Sequence, residues 1–348
     1  MNRDEILRSF DPDSNGLGKN SENLFGLPFT VADSKVVVVP VPWEVTVSYG
    51  AGTAGGPEAI RKASVQLDLY DENAADAWKS GIAITDPVPG LSETSFSMRK
   101  LAEDHIRQLE KDGDGLPGNM IQVNQACCEM VIAVKKTCLD YLSQGKLVAV
   151  LGGDHSSPLG LIQALAEVHD EFGILQIDAH ADLRESYEGF FFSHASIMYN
   201  ALKINAVKAL VQVGIRDQAH SEIEKVKLAS GRIYQFTFAK ISESGFGGLT
   251  WEEQSKQIIE RLPEKVYLSF DIDGLDPSLC PNTGTPVPGG LSYQQTVFLV
   301  RKLVDSGRAL IGMDLCEVSP GESEWDANTG ARILYAMSNQ MAKSNQKN

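Results

Sequence analysis

Short, almost uninterrupted apolar runs limit this chain most, because each can be buried only where both faces of a strand are covered. They are VVVVPVP around Val37, LVAVLGG from Leu147, GILQIDAH from Gly173, ALVQVGIRD from Ala209, VYLSFDIDG from Val266 and ALIGMDLCEV from Ala309. A strand with one face in water alternates apolar and polar residues; these do not, so they read as strands of a parallel sheet. Helical pattern lies between them: a helix opened by Pro57 (PEAIRKAS), one from Glu129 to Ser143, one after Ser157 and Pro158, one from Trp251 to Arg261 and one after Ser292. Strand then helix, repeated, predicts an α/β fold with a mainly parallel sheet.

No clean linker divides the 348 residues. Residues 86–118 are rich in Pro, Gly and acidic residues, yet apolar and helical pattern resumes within them, so they read as an elaborated connection inside one domain. The division expected is an N-terminal extension over 1–34, a catalytic domain over 35–342 and a polar tail over 343–348 that frays. The start, MNRDEILRSFDPDSNG, lacks the basic residues and apolar core of a signal peptide, and no apolar run reaches bilayer length. A cytoplasmic location and no membrane partner are expected. A formal charge of −15 argues against a nucleic-acid partner, which is bound mainly through Lys and Arg, and suits a cationic ligand better. Cys127, Cys128, Cys138, Cys280 and Cys316 contain no C-x-x-C pair, so packing is their expected role.

In open α/β sheets, ligands sit beyond the carboxyl ends of the strands. Asp154 and His155 follow LVAVLGG, Asp178, His180 and Asp182 end the next run, and Asp271 and Asp273 end VYLSF. A strand alternates its side chains with period two, so D-x-H-x-D and D-x-D each send their polar groups to one side. A lone Asp or His near a strand end is more often a cap or turn residue, and Asp154 and Ser156 fit that description. The combination is different. Four carboxylates gathered without cations repel one another, whereas two divalent ions would cancel their charge. Histidine and carboxylate without thiolate suit manganese, iron, cobalt or zinc, and a metal pair suits hydrolysis.

GGDHS (152–156), DAHADL (178–183) and SFDIDGLDPS (269–278) resemble the three signatures of the ureohydrolase family, which includes arginases and agmatinases. VPWEVTVSYGAGTAGGPEAIRKAS resembles its N-terminal glycine-rich segment, TGTPVPGGLS its post-motif loop and DLCEVSP its last strand, so the likeness runs from about Lys35 to Met341. The resemblance implies a three-layer α/β/α subunit, assembled as a trimer or hexamer, with two divalent ions, by expectation Mn2+. One ion would be held by His155, Asp178, Asp182 and Asp271, the other by His180, Asp178, Asp271 and Asp273. It also implies Asp182 as proton relay, Glu317 as the carboxylate that binds the substrate guanidinium, and His194 as a substrate-side proton shuttle. A carboxylate can accept two parallel N–H bonds from a planar guanidinium, and histidine titrates near neutrality, so both roles fit their residue types. No nucleotide-binding glycine motif stands after a strand, so Gly50, Gly52, Gly55 and Gly56 read as an active-site loop. Trp43, Tyr49 and Trp325 are candidates for either core or pocket.

The implied substrate is a small cationic guanidino compound that is split to release urea. Arginases read R-D-x-D at the fourth run and use the second aspartate for the substrate's α-amino group; this chain reads Arg216, Asp217, Gln218, Ala219. Its YEGFFFSHAS also lacks the N-x-H pattern that arginases direct at the α-carboxylate, and resembles agmatinases instead. Agmatine, cleaved to putrescine and urea, is therefore the expected substrate. The expanded GESEWDANTG and the aromatic run Phe190 to Phe192 leave guanidine or a guanidino acid as an alternative substrate, and the resemblance leaves arginase and formimidoylglutamase activity as others within the family. A mononuclear zinc deacetylase-like amidohydrolase or a non-catalytic metal-binding protein are the readings from other classes.

Overall fold

The structure, a computed structural model, describes residues 3–14 and 22–346. One eight-stranded sheet holds β1 (Val36–Val41), β2 (Ile82–Ile84), β3 (Leu147–Gly152), β4 (Phe172–Ile177), β5 (Val207–Val213), β6 (Ile233–Phe236), β7 (Lys265–Phe270) and β8 (Ala309–Leu315). The order is β2-β1-β3-β8-β7-β4-β5-β6 and every pairing is parallel. All six apolar runs are strands. The two strands that the pattern did not reveal, IAI and IYQF, are short and stand at the two sheet edges, where a strand has only one neighbour to satisfy.

The helices are α1 (Arg3–Ser9), α2 (Gly56–Ala63), α3 (Leu91–Asp112), α4 (Pro117–Leu142), α5 (Leu159–Val168), α6 (Ile197–Ala201), α7 (His220–Leu228), α8 (Phe238–Phe246), α9 (Trp251–Ile259), α10 (Tyr293–Asp305) and α11 (Trp325–Ser344). They cover both faces. Val36 and Val38 share one core with Ile60 of α2, Ile258 of α9, Leu299 of α10 and Leu334 of α11. Val37, Val39 and Val41 point the other way, into a second core with Ile106 of α3, Val131 of α4, Leu161 of α5 and Ile197 of α6. Successive valines thus meet opposite helical layers, which is why the runs do not alternate.

Helix ends follow their sequence signals. Ser292 accepts from Gln295 N while the Gln295 side chain accepts from Ser292 N, and Thr250 and Glu253 do the same at α9. Two expectations need correction. The helix read from Glu129 is the second half of α4, which starts at Pro117, a residue suited to a first helical turn; the helical pattern expected in the connection before it is the helix α3. The tail does not fray from Lys343, because α11 continues to Ser344 and the Lys343 ammonium stands 3.0 Å from Asp305. Residues 1–2, 15–21 and 347–348 of the expected extension and tail lie outside the described residues. Of the rest of 1–34, Leu24, Phe25 and Leu27 are fully buried, with Phe25 edge-on to Tyr335 at 4.9 Å. Among the described residues no helix is long and apolar enough to cross a membrane. All five cysteines are free, four of them buried.

Candidate active site

β3, β8, β7 and β4 are neighbours at the middle of the sheet, and the acidic and histidine motifs lie just beyond their carboxyl ends. His155 Nδ1 is 3.1 Å from Asp178 Oδ2, 3.0 Å from Asp182 Oδ2 and 3.3 Å from Asp271 Oδ2. His180 Nδ1 is 3.0 Å from Asp273 Oδ2 and 3.7 Å from Asp178 Oδ1. The six residues expected to hold metal therefore come together. Within them, His155, Asp178 and Asp271 form one trio whose donor atoms lie within 4.8 Å of one another, and Asp178, His180 and Asp273 form a second.

The local geometry differs from strand alternation. β4 stops at Ile177; beyond it Asp178 Oδ1 accepts from His180 N at 2.6 Å, and His180 makes an isolated parallel bridge with Asp217. Asp182 has φ 55°, left-handed backbone that costs a non-glycine residue roughly 1–2 kcal/mol. Its carbonyl is held by Met198 N at 3.1 Å and Tyr199 N at 3.2 Å, so the start of α6 sustains the conformation. β7 likewise stops at Phe270, and Asp271 Oδ1 accepts from Asp273 N at 2.9 Å. Coiling of the chain, rather than pleating, aims these groups.

The electrostatics fit bound cations. Burial, then the charge of Asp178, pushes Asp182 up to about 7, and burial with Asp273 and Asp178 pushes Asp271 well above the carboxylate range. Burial works against the charge of Asp273 too, but His180 outweighs it and holds that carboxyl at about 2. Burial disfavours a charged His180, yet Asp273 lifts it to about 10. The cluster thus draws in protons for want of positive charge. Meanwhile His155 Nδ1 is buried with no hydrogen-bond partner while carboxylate oxygens surround it. Divalent ions would supply the missing charge and the missing partner.

A supporting layer, not visible in motif spacing, fixes these groups. His155 Nε2 lies 3.0 Å from Ser269 Oγ, which donates to Asp314 Oδ2 at 2.8 Å; Tyr267 Oη donates to the same oxygen at 2.6 Å. This anchors Nε2 and turns Nδ1 toward the carboxylates. Asp154 is a turn residue: Oδ1 accepts from Ser156 N at 2.9 Å and Oδ2 from Val45 N at 3.2 Å. Arg216 donates to the carbonyls of Asp273 at 2.6 Å and Val287 at 2.9 Å, tying the end of β5 to two site loops. His105 is structural, its ring bracketed by Leu116 N and the Glu188 carbonyl.

The cluster forms the floor of a cavity of about 180 Å³ whose walls include Glu317, His194, Tyr187 and Asp217. A larger cavity, about 660 Å³, lies by the β1–β2 edge and contains none of the cluster residues. Glu317 is buried, and burial with Asp271 and Asp154 holds its pKa well above the usual range. Its Oε1 accepts from His155 N at 2.8 Å. Its backbone is left-handed (φ 64°), pinned by Glu317 N to the Gly153 carbonyl at 2.8 Å and by Thr283 Oγ1 to its own carbonyl at 2.8 Å. Thr283 is steadied in turn, since Asn282 N and Nδ2 donate to the two oxygens of buried Asp326, each at 2.9 Å. A side chain at Gly321 would come within 2.2 Å of Asn282, so the expanded loop closes on that residue.

His194 is partly buried and edge-on to Tyr187 at 5.7 Å; burial, then His180 and His155, pull it down to about 3. The glycine-rich loop packs against the same wall: Gly50 N donates to the Gly284 carbonyl at 3.2 Å, and buried Glu44 accepts from Gly52 N at 2.7 Å. Of the three aromatics left open between core and pocket, Trp43 is core, while Tyr49 and Trp325 are exposed.

The arginase family model matches residues 34–339. N(1)-aminopropylagmatine ureohydrolase of Thermus thermophilus is 34% identical over 305 residues, covering 87% of this chain and 89% of that relative. Agmatinase of Neisseria meningitidis is 29% identical over 305 residues, covering 86% and 85%. The crystal structure of agmatine ureohydrolase of Thermoplasma volcanium superposes with a TM-score of 0.72 at 22% identity, covering 98% of each chain.

Proposed function

The chain belongs to the arginase family, a ureohydrolase acting on a guanidino compound, and on that premise we propose that it releases urea from an agmatine-type substrate with the help of two Mn2+ ions. The observation that carries the reading is the placement of Glu317, a buried carboxylate, in the same cavity as the two His/Asp clusters. A substrate guanidinium is a counter-ion suited to this carboxylate, and the clusters are where its carbon would be attacked.

His155, Asp178, Asp182 and Asp271 would hold one ion, and His180, Asp178, Asp271 and Asp273 the other. Bound ions would supply Lewis acidity and lower the pKa of water toward neutrality. Glu317 orients the guanidinium while its Oε1 stays anchored to His155 N. Asp182, a carboxylate of the cluster beside the proposed point of attack, is the residue we assign to carry a proton from the nucleophile to the leaving nitrogen. His194, held neutral by burial and by His180 and His155, is placed to hydrogen-bond the substrate at the pocket wall rather than to hold a proton near pH 7.

The tail of the substrate would meet Ser48, Asp217, Gln218 and Thr285, which line the same cavity. Asp217 is exposed there and suits a distal ammonium, while the position of the second aspartate of R-D-x-D is Ala219. Agmatine fits this description. N-aminopropylagmatine is a second reading, supported by the 34% identity to a relative named for that substrate. Urea release from Mn2+-loaded protein decides: agmatine or its aminopropyl derivative is expected to exceed arginine in kcat/KM by about 100-fold or more, the scale of losing one buried ion pair. Arginine or guanidinobutyrate as the best substrate would overturn the assignment.

A further inference from the structure

Three glutamines stand side by side on adjacent strands below the metal cluster. Gln176 of β4 is in register with Gln212 of β5, and Gln212 with Gln235 of β6. Gln176 and Gln212 are fully buried, an unusual place for amides unless each finds partners. Here they do. Gln176 Nε2 donates to Asp178 Oδ2 at 2.7 Å and to the His180 carbonyl at 3.3 Å. Gln212 Nε2 donates to Gln176 Oε1 at 2.6 Å and to the Ala181 carbonyl at 2.7 Å. Gln235 Nε2 donates to Gln212 Oε1 at 2.8 Å and to Gln218 Oε1 at 2.9 Å.

The direction of this row is forced. The carbonyls of His180 and Ala181 can only accept, so Gln176 and Gln212 must each turn an NH2 toward them. Gln176 then has only its oxygen left for Gln212, and Gln212 only its oxygen for Gln235. Every amide dipole therefore points its N–H end toward Asp178, and aligned hydrogen bonds polarise one another. Register alone would not produce this; it follows from the course of DAHAD beyond β4, which places two bare carbonyls over the row. At the far end, Gln218 lies in the wall of the substrate cavity.

We infer that Gln176, backed by Gln212 and Gln235, is a positioning residue that holds Asp178 in the orientation needed to bind metal, and that the row links this carboxylate to the substrate wall at Gln218. The inference rests on the proposed role of Asp178 as a ligand shared by two ions. Asp178 Oδ1 is fixed by His180 N, so Gln176 supplies the restraint on the other oxygen. Hydrogen-bond partners one step behind metal ligands are worth about 10–100-fold in metal affinity.

The test is titration of metal-free protein with Mn2+ by calorimetry, with thermal melting of the same metal-free samples to check folding. Gln176→Met is expected to weaken Mn2+ binding by about 10–100-fold and Gln212→Met by a smaller factor, although Gln212 touches none of the six cluster side chains. Because the links are in series, the double variant should bind no more weakly than Gln176→Met alone. If Gln212→Met does not fold, Gln235→Met on the edge strand reads the same coupling. Mn2+ affinity within twofold of the parent in the Gln176 and Gln212 variants, or losses that add in the double, would overturn the inference. Asp178→Asn separates the two levels: full Mn2+ binding by that variant sinks the metal reading itself, whereas weakened binding there with unaffected glutamine variants sinks only the row.

Discussion

The floor and the wall of the active-site cavity are held in different ways. On the floor, His155, Asp178, Asp182, Asp271 and Asp273 crowd together with several contacts near 3 Å, and their mutual repulsion is relieved only by protons or cations. The wall at Glu317 is built by backbone. A left-handed residue is clamped by Gly153, by Thr283 and, through Asn282, by Asp326 at the start of α11. The floor is therefore limited by charge and the wall by conformation, and the two should fail separately when disturbed.

The largest effect should come from the floor. Asp271→Ala removes a carboxylate assigned to both ions, and metal analysis should find fewer than two Mn2+ per chain, with urea release down by more than about 10³-fold, beyond the 10–100-fold typical of supporting partners. Retention of two ions would dissolve the contrast. Next is Glu317→Gln, which keeps shape and removes charge. KM should rise by about 30-fold or more, since losing one side of a buried charge pair costs about 2–5 kcal/mol, while Mn2+ content stays at two. Loss of metal in that variant would show that wall and floor are one unit.

A smaller effect separates the two by pH. The proton that Asp273 holds on His180 up to about pH 10 must leave before the ring can bind metal, so protons compete with Mn2+ below that value. Affinity measured on metal-free protein should rise by about tenfold per unit or more between pH 6 and 8, because Asp182, held at about 7, releases its proton as well. A pH-independent affinity would remove His180 from the ligand set. The smallest effect should be Asp326→Ala, which frees Asn282 and loosens Glu317 without touching the cavity. KM should rise about 3–10-fold and the melting temperature fall, in line with about 1–3 kcal/mol for unpaired buried groups, with Mn2+ content unchanged. An unaltered KM would mean that the clamp on Glu317 does not extend to α11.

The floor was legible in the sequence because its residues sit in three short motifs directly after strands, and burial on both faces makes those strands easy to read. The inference from spacing brought these residues to one place through a pleat that stops too early, since Asp178, His180 and Asp182 lie beyond the end of β4. Asp326, Asn282 and Thr283 carried no comparable signal: their pairing depends on loops that meet only after the chain folds. Nor did Gln176, Gln212 and Gln235, which look like ordinary polar interruptions until strand register sets them side by side.

The sequence by itself determined the α/β class, the buried parallel strands and the chemical kind of the site, because apolar periodicity and clustered ligand types are local properties of the chain. Only the tertiary structure decided which oxygen faces which nitrogen, how Glu317 is clamped and which way the buried amides point. Those depend on strand order, register and loop closure, which bring distant residues within hydrogen-bond range, where a few tenths of an ångström decide whether a bond exists.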